Sequence, residues 1–231
     1  FSIGVVGATG GLIGDTVIIC EGYECYSLTS EKATLVTHMS VGRWYAASIV
    51  INDNTLWVTG GWNAYAGGYL ASTEYVTVTG TMLGPDLPIA LYYHAMVAIN
   101  KTCTMVIGGR SNGPYALTFF YDRNEGEWIT GPSLMKGRYG HAAGIVTDAG
   151  TDEYFVAVTG GNYLNSTEIL QDGEWVQGKI SNTICRLIKT CWLHNNFFYS
   201  ILFNFALVRF ETSCKNNNSY KTEKNVYLSI F

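Results

Sequence analysis

Short apolar runs that end in glycine recur along the first 178 residues: TLWVTGG at 55–61, TMVIGG at 104–109 and YFVAVTGG at 154–161. TVIICEGY at 16–23 has the same form with Glu21-Gly22 in place of the glycine pair. After each comes a loop and a second alternating segment: ECYSL at 24–28, STEYVTV at 72–78, LTFFYD at 117–122 and STEIL at 166–170. A third segment carries Trp in two copies, GEWITG at 126–131 and GEWVQG at 173–178, and Leu35 and Met82 stand at that place in the others. A fourth, of small residues, reads GRWYAASIV at 42–50, YHAMVAI at 93–99 and GRYGHAAGIV at 137–146, with GVVGA at 4–8 as its first appearance. Alternation predicts strands, and none of these segments has the 3.6-residue period of a helix. Each copy therefore predicts four short strands, and the chain predicts an all-β fold.

The glycine pair lets the backbone turn where a Cβ would clash, and the Trp and Tyr predict packing between neighbouring copies. Hydrophobic run, double glycine, spaced Tyr and Trp in one order resemble the kelch repeat. The residues concerned are Gly22, Gly60, Gly61, Gly108, Gly109, Gly160, Gly161, Tyr26, Tyr75, Tyr121, Trp128 and Trp175. The resemblance implies a kelch-type β-propeller, here about four blades of four antiparallel strands, as a piece of a propeller of about six. A WD40 reading fails, because no Trp-Asp closes a strand and no Gly-His opens a repeat. Glu21 in place of a glycine and two copies without Trp depart from the pattern.

Residues 1–178 are expected to hold the repeats, as 1–39, 40–89, 90–136 and 137–178, and 179–231 a tail outside the propeller. The repeat stops after Trp175, and CKNNNSYKTEKN at 214–225 has a disordered composition. FFYSILFNFALV at 197–208 is shorter than the roughly 20 residues of a membrane span, so none is expected. An alternative exon or translated non-coding sequence is the expected origin of the tail. Four blades left open predict marginal solubility for this chain. The opening FSIGVV reads as a strand, so the natural N-terminus is expected to lie further upstream.

The chain has a formal net charge of −4, divided unevenly. Residues 1–178 hold 7 Lys+Arg and 16 Asp+Glu, giving −9, and 179–231 hold 7 and 2, giving +5. An acidic body excludes a nucleic-acid-tracking surface, which needs clustered basic residues. Of six cysteines none forms C-x-x-C or zinc-finger spacing, so no metal is expected. Cys20 ends one predicted strand and Cys25 begins the next, a hairpin within disulfide reach. With N-x-S/T sequons at Asn100, Asn165 and Asn217 this favours a secreted glycoprotein over a cytoplasmic one.

Catalytic groups are scarce. His94 and His141 recur at one repeat position, which predicts packing, and His38 and His194 have no evident partner. Arg43 and Arg138 likewise recur and are expected to bond turn carbonyls. GATGG at 7–11 lacks the Lys-Ser or Lys-Thr of a phosphate loop, and Asp53, Asp148 and Asp152 fall in predicted turns. No enzyme activity and no cofactor are expected. Function then resides in loops, and those after the glycine pairs differ most between copies. Their Trp62, Tyr65, Tyr69, Arg110, Asn112, Tyr115, Asn162 and Tyr163 are the candidate partner-binding residues. The expectation is a non-catalytic protein-protein interaction module. The alternatives are the substrate-binding part of a ubiquitin-ligase adaptor and, by resemblance to galactose oxidase, a fragment of a copper enzyme.

Overall fold

A computed structural model describes residues 7–147 and 153–178 and the backbone of 228–229. The described residues are all-β apart from one 3-10 turn at Ala64–Ala66. They form small antiparallel sheets in which strands adjacent in sequence are neighbours. The first sheet holds β1 (Thr9–Ile13), β2 (Thr16–Leu28) and β3 (Ala33–Arg43). In the second, β4 (Ala47–Asn52), β5 (Thr55–Thr59), β8 (Thr73–Thr77) and β9 (Gly80–Leu83) follow in order. A two-stranded ribbon, β6 (Trp62–Asn63) and β7 (Gly68–Tyr69), fills the loop between β5 and β8. The third sheet repeats the meander with β10 (Ala95–Ala98), β11 (Cys103–Ile107), β12 (Thr118–Asp122) and β13 (Glu127–Thr130). The fourth does so with β14 (Ala142–Thr147), β15 (Tyr154–Thr159), β16 (Thr167–Gln171) and β17 (Glu174–Gln177).

Polar side chains shape the hairpins. Asn100 Oδ1 accepts from Thr102 N and Cys103 N, both at 2.8 Å, and closes the β10–β11 turn. Asp122 Oδ1 accepts from Asn124 N at 2.8 Å and turns β12 into β13. The register places the expected third-segment residues opposite one position of the preceding strand: Tyr26↔Leu35, Tyr75↔Met82, Tyr121↔Trp128 and Leu170↔Trp175.

The small-residue strands β4, β10 and β14 lie side by side, with β1 before them. Alanine here allows close approach, so each sheet stacks on the next and the core is divided among the gaps. Ile13, Ile18, Met39, Leu56 and Val58 fill the first gap. Trp57, Leu87, Leu91, Met96, Val106 and Phe119 fill the second. Val97, Met105, Ile107, Leu134, Val158 and Trp175 fill the third. Trp57 is fully buried, 5.1 Å from Tyr121 and 5.9 Å from Trp128 between ring centroids. Trp175 Nε1 donates to Pro132 O at 3.1 Å across sheets.

The first sheet corrects two expectations. Its described residues form three strands, and Cys20 and Cys25 lie within the single strand β2 instead of on two strands of a hairpin; most of the expected GVVGA segment lies outside the described residues. Five residues of separation leave no room for a loop like those after the glycine pairs. β2 pairs with β1 up to Cys20 and with β3 from Gly22, with register shifts after Gly22 and Cys25. The two cysteines are buried and disulfide-bonded, with Cα atoms 4.0 Å apart. Tyr26 also departs from the expected inter-sheet packing, because its hydroxyl donates to Glu24 in an exposed pair.

In the fourth sheet the backbone of β18 (Leu228–Ser229) pairs with β14 as a fifth strand. The rest of the tail, with the Asn217 sequon and His194, lies outside the described residues.

Candidate functional site

One backbone position recurs at the entry to each small-residue strand with a left-handed conformation: Gly7 (φ 72°), Tyr45 (58°), Tyr93 (55°) and Gly140 (59°). These residues are linked in a row from sheet to sheet. Tyr45 N donates to Gly7 O at 2.8 Å, Tyr93 N to Tyr45 O at 3.0 Å, and Gly140 N to Tyr93 O at 2.8 Å. Glycine takes this conformation freely, whereas a bulky aromatic residue does so at a cost of about 1–3 kcal/mol. Two tyrosines nonetheless occupy it.

A second row flanks the first, made by the residues after the glycine pairs. Trp62 bridges Trp44, Arg110 bridges Tyr92, and Asn162 N donates to Tyr139 O at 3.1 Å. The two rows bring a continuous aromatic surface together. Tyr45 stacks on Tyr93 at 4.4 Å, Tyr92 lies 5.0 Å from Tyr93, and Tyr69 stacks on Tyr92 at 5.2 Å. Tyr139 joins through Tyr93 at 6.1 Å. The Arg110 guanidinium lies over two of these rings, 5.5 Å from Tyr92 and 4.6 Å from Tyr139. Tyr45, Tyr92, Tyr93 and Tyr139 are half-buried, and Tyr69 is exposed. Burial pushes the Tyr93 phenol well above its usual range, with the Tyr45 phenol adding to it. Burial also raises Tyr92, against the pull of Arg110. Tyr92 and Tyr93 therefore keep neutral phenols at physiological pH, beside the Arg110 guanidinium.

Of the expected binding residues, Tyr69 and Arg110 are part of this surface, and Trp62 and Asn162 border it through their backbone contacts. Tyr115 lies behind Arg110, its N–H donating to Gly109 O at 2.8 Å and its hydroxyl 2.8 Å from Ser111 Oγ. Tyr65 and Asn112 are exposed on the same loops, as is Tyr163. Asn63 Oδ1 holds the Tyr65 turn by accepting from Tyr65 N at 2.9 Å. The residues that sequence reasoning missed are Tyr45, Tyr92, Tyr93 and Tyr139. Their common place, one or two residues after Arg43, Leu91 and Arg138, was the available signal.

The recurring histidines and arginines are built into the scaffold beneath. A Cβ on Gly60 would meet His94 Cε1 at 2.9 Å, and one on Gly108 would meet His141 Cε1 at 2.8 Å. The first glycine of these two pairs thus seats the ring of the following sheet. His94 Nε2 lies 2.8 Å from Thr59 Oγ1. At the matching place before Gly108 stands Ile107, and both ring nitrogens of buried His141 lack a partner among the described residues. Arg43 does bond turn carbonyls, donating from Nη1 to Gly60 O at 2.8 Å and Ser72 O at 2.7 Å. It also pairs through Nη2 with Glu74 Oε1 at 2.8 Å, both side chains fully buried. Glu74 in turn accepts from Ser40 N at 2.7 Å and Val41 N at 3.1 Å. Arg138, Glu168, Met135 and Lys136 repeat this arrangement. The glutamates were not anticipated.

A surface depression of about 350 Å³ lined by Ile51, Thr55, Tyr75, Thr81 and Met82 lies on the second sheet, and none of the tyrosines around Arg110 lines it. Among the described residues no three His, Cys, Asp or Glu side chains are grouped to hold a metal ion. No helix among them is long and apolar enough to cross a membrane. No protein-family model matches the chain, and no curated protein matches it.

Proposed function

We propose that the chain is part of a kelch-type β-propeller that binds a protein partner through the tyrosine surface around Arg110, without catalysis. The observation that carries this reading is the pair Tyr45 and Tyr93 in left-handed conformations where Gly7 and Gly140 occupy the equivalent places. Backbone strain persists at positions where something other than stability is served, and here it holds stacked rings at the surface. Tyrosine and arginine supply contact area and hydrogen bonds, the composition typical of interface anchors. Four consecutive antiparallel sheets, with one buried Arg–Glu arrangement that occurs twice among them, support the propeller.

The reading is tested by placing a photo-crosslinking residue at Tyr69 and, as a control, at exposed Met82 on β9, in extracts of the native source. A discrete adduct from position 69, absent from position 82 and lost when Tyr92 and Tyr93 are replaced by alanine, is the expected result. Equal yields from both positions overturn it. Tyr93→Gly, which restores the glycine of its equivalents, is expected to change the melting temperature by less than about 4 °C while reducing the adduct. A large loss of stability instead would make Tyr93 a packing residue.

The Cys20–Cys25 disulfide and the exposed Asn100 and Asn165 support a secretory setting for this binding protein. Expression through a secretory pathway is expected to add a glycan at each asparagine. Intact mass of Asn100→Gln and Asn165→Gln checks this by the loss of one glycan each, and unchanged masses count against secretion.

A further inference from the structure

The small-residue strands β4 and β10 stand at the edges of their sheets, and on one side neither has a paired strand among the described residues. β14 is the equivalent strand of the fourth sheet, yet it has neighbours on both sides, β15 and β18. The β18 backbone runs antiparallel to it, with Ser229 opposite Ala143 and Leu228 opposite Gly144, and also approaches β10 of the third sheet. The hairpin registers align the three small-residue strands, because Ala47, Ala95 and Ala142 lie opposite Thr59, Ile107 and Thr159, the residues before each glycine pair. At the next two places β4 carries Ser48 and Ile49, β10 carries Met96 and Val97, and β14 carries Ala143 and Gly144. The two residues that β18 meets are therefore the smallest of their equivalents. Side chains directly opposite one another on paired strands are close neighbours, so bulk at these places decides what an incoming strand can carry. A glycine inside a strand also marks a place where another backbone comes close.

We infer that the edge of β14 is a strand-docking site and that residues 226–231 of the same chain are its occupant. The segment Val226-Tyr227-Leu228-Ser229-Ile230-Phe231 is made of residue types that favour strands, with no charge, glycine or proline among them, and directly follows the polar KTEKN at 221–225. A bare strand edge offers its N–H and C=O groups as a template to any extended chain, a second molecule included. A segment of the same chain that takes the place removes that liability. Part of the stretch expected to lie outside the propeller thereby belongs to its fourth sheet, and Ala143 and Gly144 are the residues that admit it. This inference stands apart from the tyrosine surface and does not depend on it.

The test is amide hydrogen exchange of the full 231-residue chain, read by mass spectrometry over Ala142–Thr147. Leu228→Pro with Ser229→Pro removes two N–H groups from the ladder and is expected to speed exchange there at least about tenfold, while β11 and β12 keep their wild-type rates. A synthetic peptide of residues 225–231, added to the proline variant at about 1 mM to match the effective concentration of a tethered segment, is expected to restore the protection. The same residues in scrambled order are expected not to. Gly144→Val, which gives β14 the residue that β10 has at Val97, is expected to exchange as fast as the proline variant. Unchanged exchange in the proline variant overturns the inference, and so does equal restoration by the scrambled peptide. A rise shared by β11 and β12 would mark a loss of the whole fold and count against a local docking site. Wild-type protection that fades on dilution would assign the strand to a second copy and overturn docking within one chain.

Discussion

Glu74→Gln is expected to lower the melting temperature by on the order of 10 °C, because it leaves the Arg43 guanidinium buried without its counter-charge. Removing one partner of a buried pair costs about 3–5 kcal/mol, and each kcal/mol moves the midpoint of a chain this size by about 2–4 °C. The third sheet shows how the same place is filled without charge. Leu91 stands where Arg43 and Arg138 do, Phe119 where Glu74 and Glu168 do, and both are buried in one apolar cluster. Pro88, which has no N–H, stands where Ser40 and Met135 donate to the glutamates. Donor, acceptor and cation are thus absent together. Transplanting that solution, Ser40→Pro with Arg43→Leu and Glu74→Phe, is expected to recover more than half of the loss. Circular-dichroism melts of wild type, single and triple variants decide it. A triple variant no more stable than Glu74→Gln would show that packing around the pair, and not its charge, sets the cost.

Mild acid is expected to destabilise the chain through its two buried histidines. Burial lowers His94 to about 3, and lowers His141 to about 3 with Arg138 and His94 adding repulsion. An unfolded histidine titrates near 6.5 and takes a proton that the folded one refuses, so stability is complete above about pH 6.5 and falls as the pH drops towards 3. Between pH 7 and 5 each histidine removes about 2 kcal/mol, about 4 kcal/mol together. Urea unfolding at the two pH values measures the difference. His141→Ala, which installs the residue that Ala46 already provides at the equivalent place, is expected to halve it. Equal stabilities of the wild type at pH 7 and 5 would show that the histidines are reached by water or protonated in place.

The strand pattern was legible because it is local. Alternation, turn residues and the glycine pairs predicted four segments per copy, and even Leu35 and Met82 fell at the register positions of Trp128 and Trp175. What escaped the reading depends on contacts between distant segments. Glu74 and Glu168 look like ordinary outward residues of STEYV and STEIL, and only their partners in space make them internal. Their signal was a joint change across copies, Arg with Glu twice and Leu with Phe once. The left-handed tyrosines were invisible for a similar reason, since no local preference selects that conformation for an aromatic residue. The two segments expected around Cys20 and Cys25 form the single strand β2, because the cysteines are too close in sequence to open a loop between them.

The row of hydrogen bonds from Gly7 through Tyr45 and Tyr93 to Gly140 uses backbone atoms alone. The spacing of the side chains displayed above it is therefore independent of which side chains they are. Trp62, Arg110 and Asn162 occupy equivalent places in the row that flanks it and already differ in size, charge and hydrogen-bonding character. Such a surface is modular: each position can be rewritten for a new ligand while the lattice that spaces them stays unchanged.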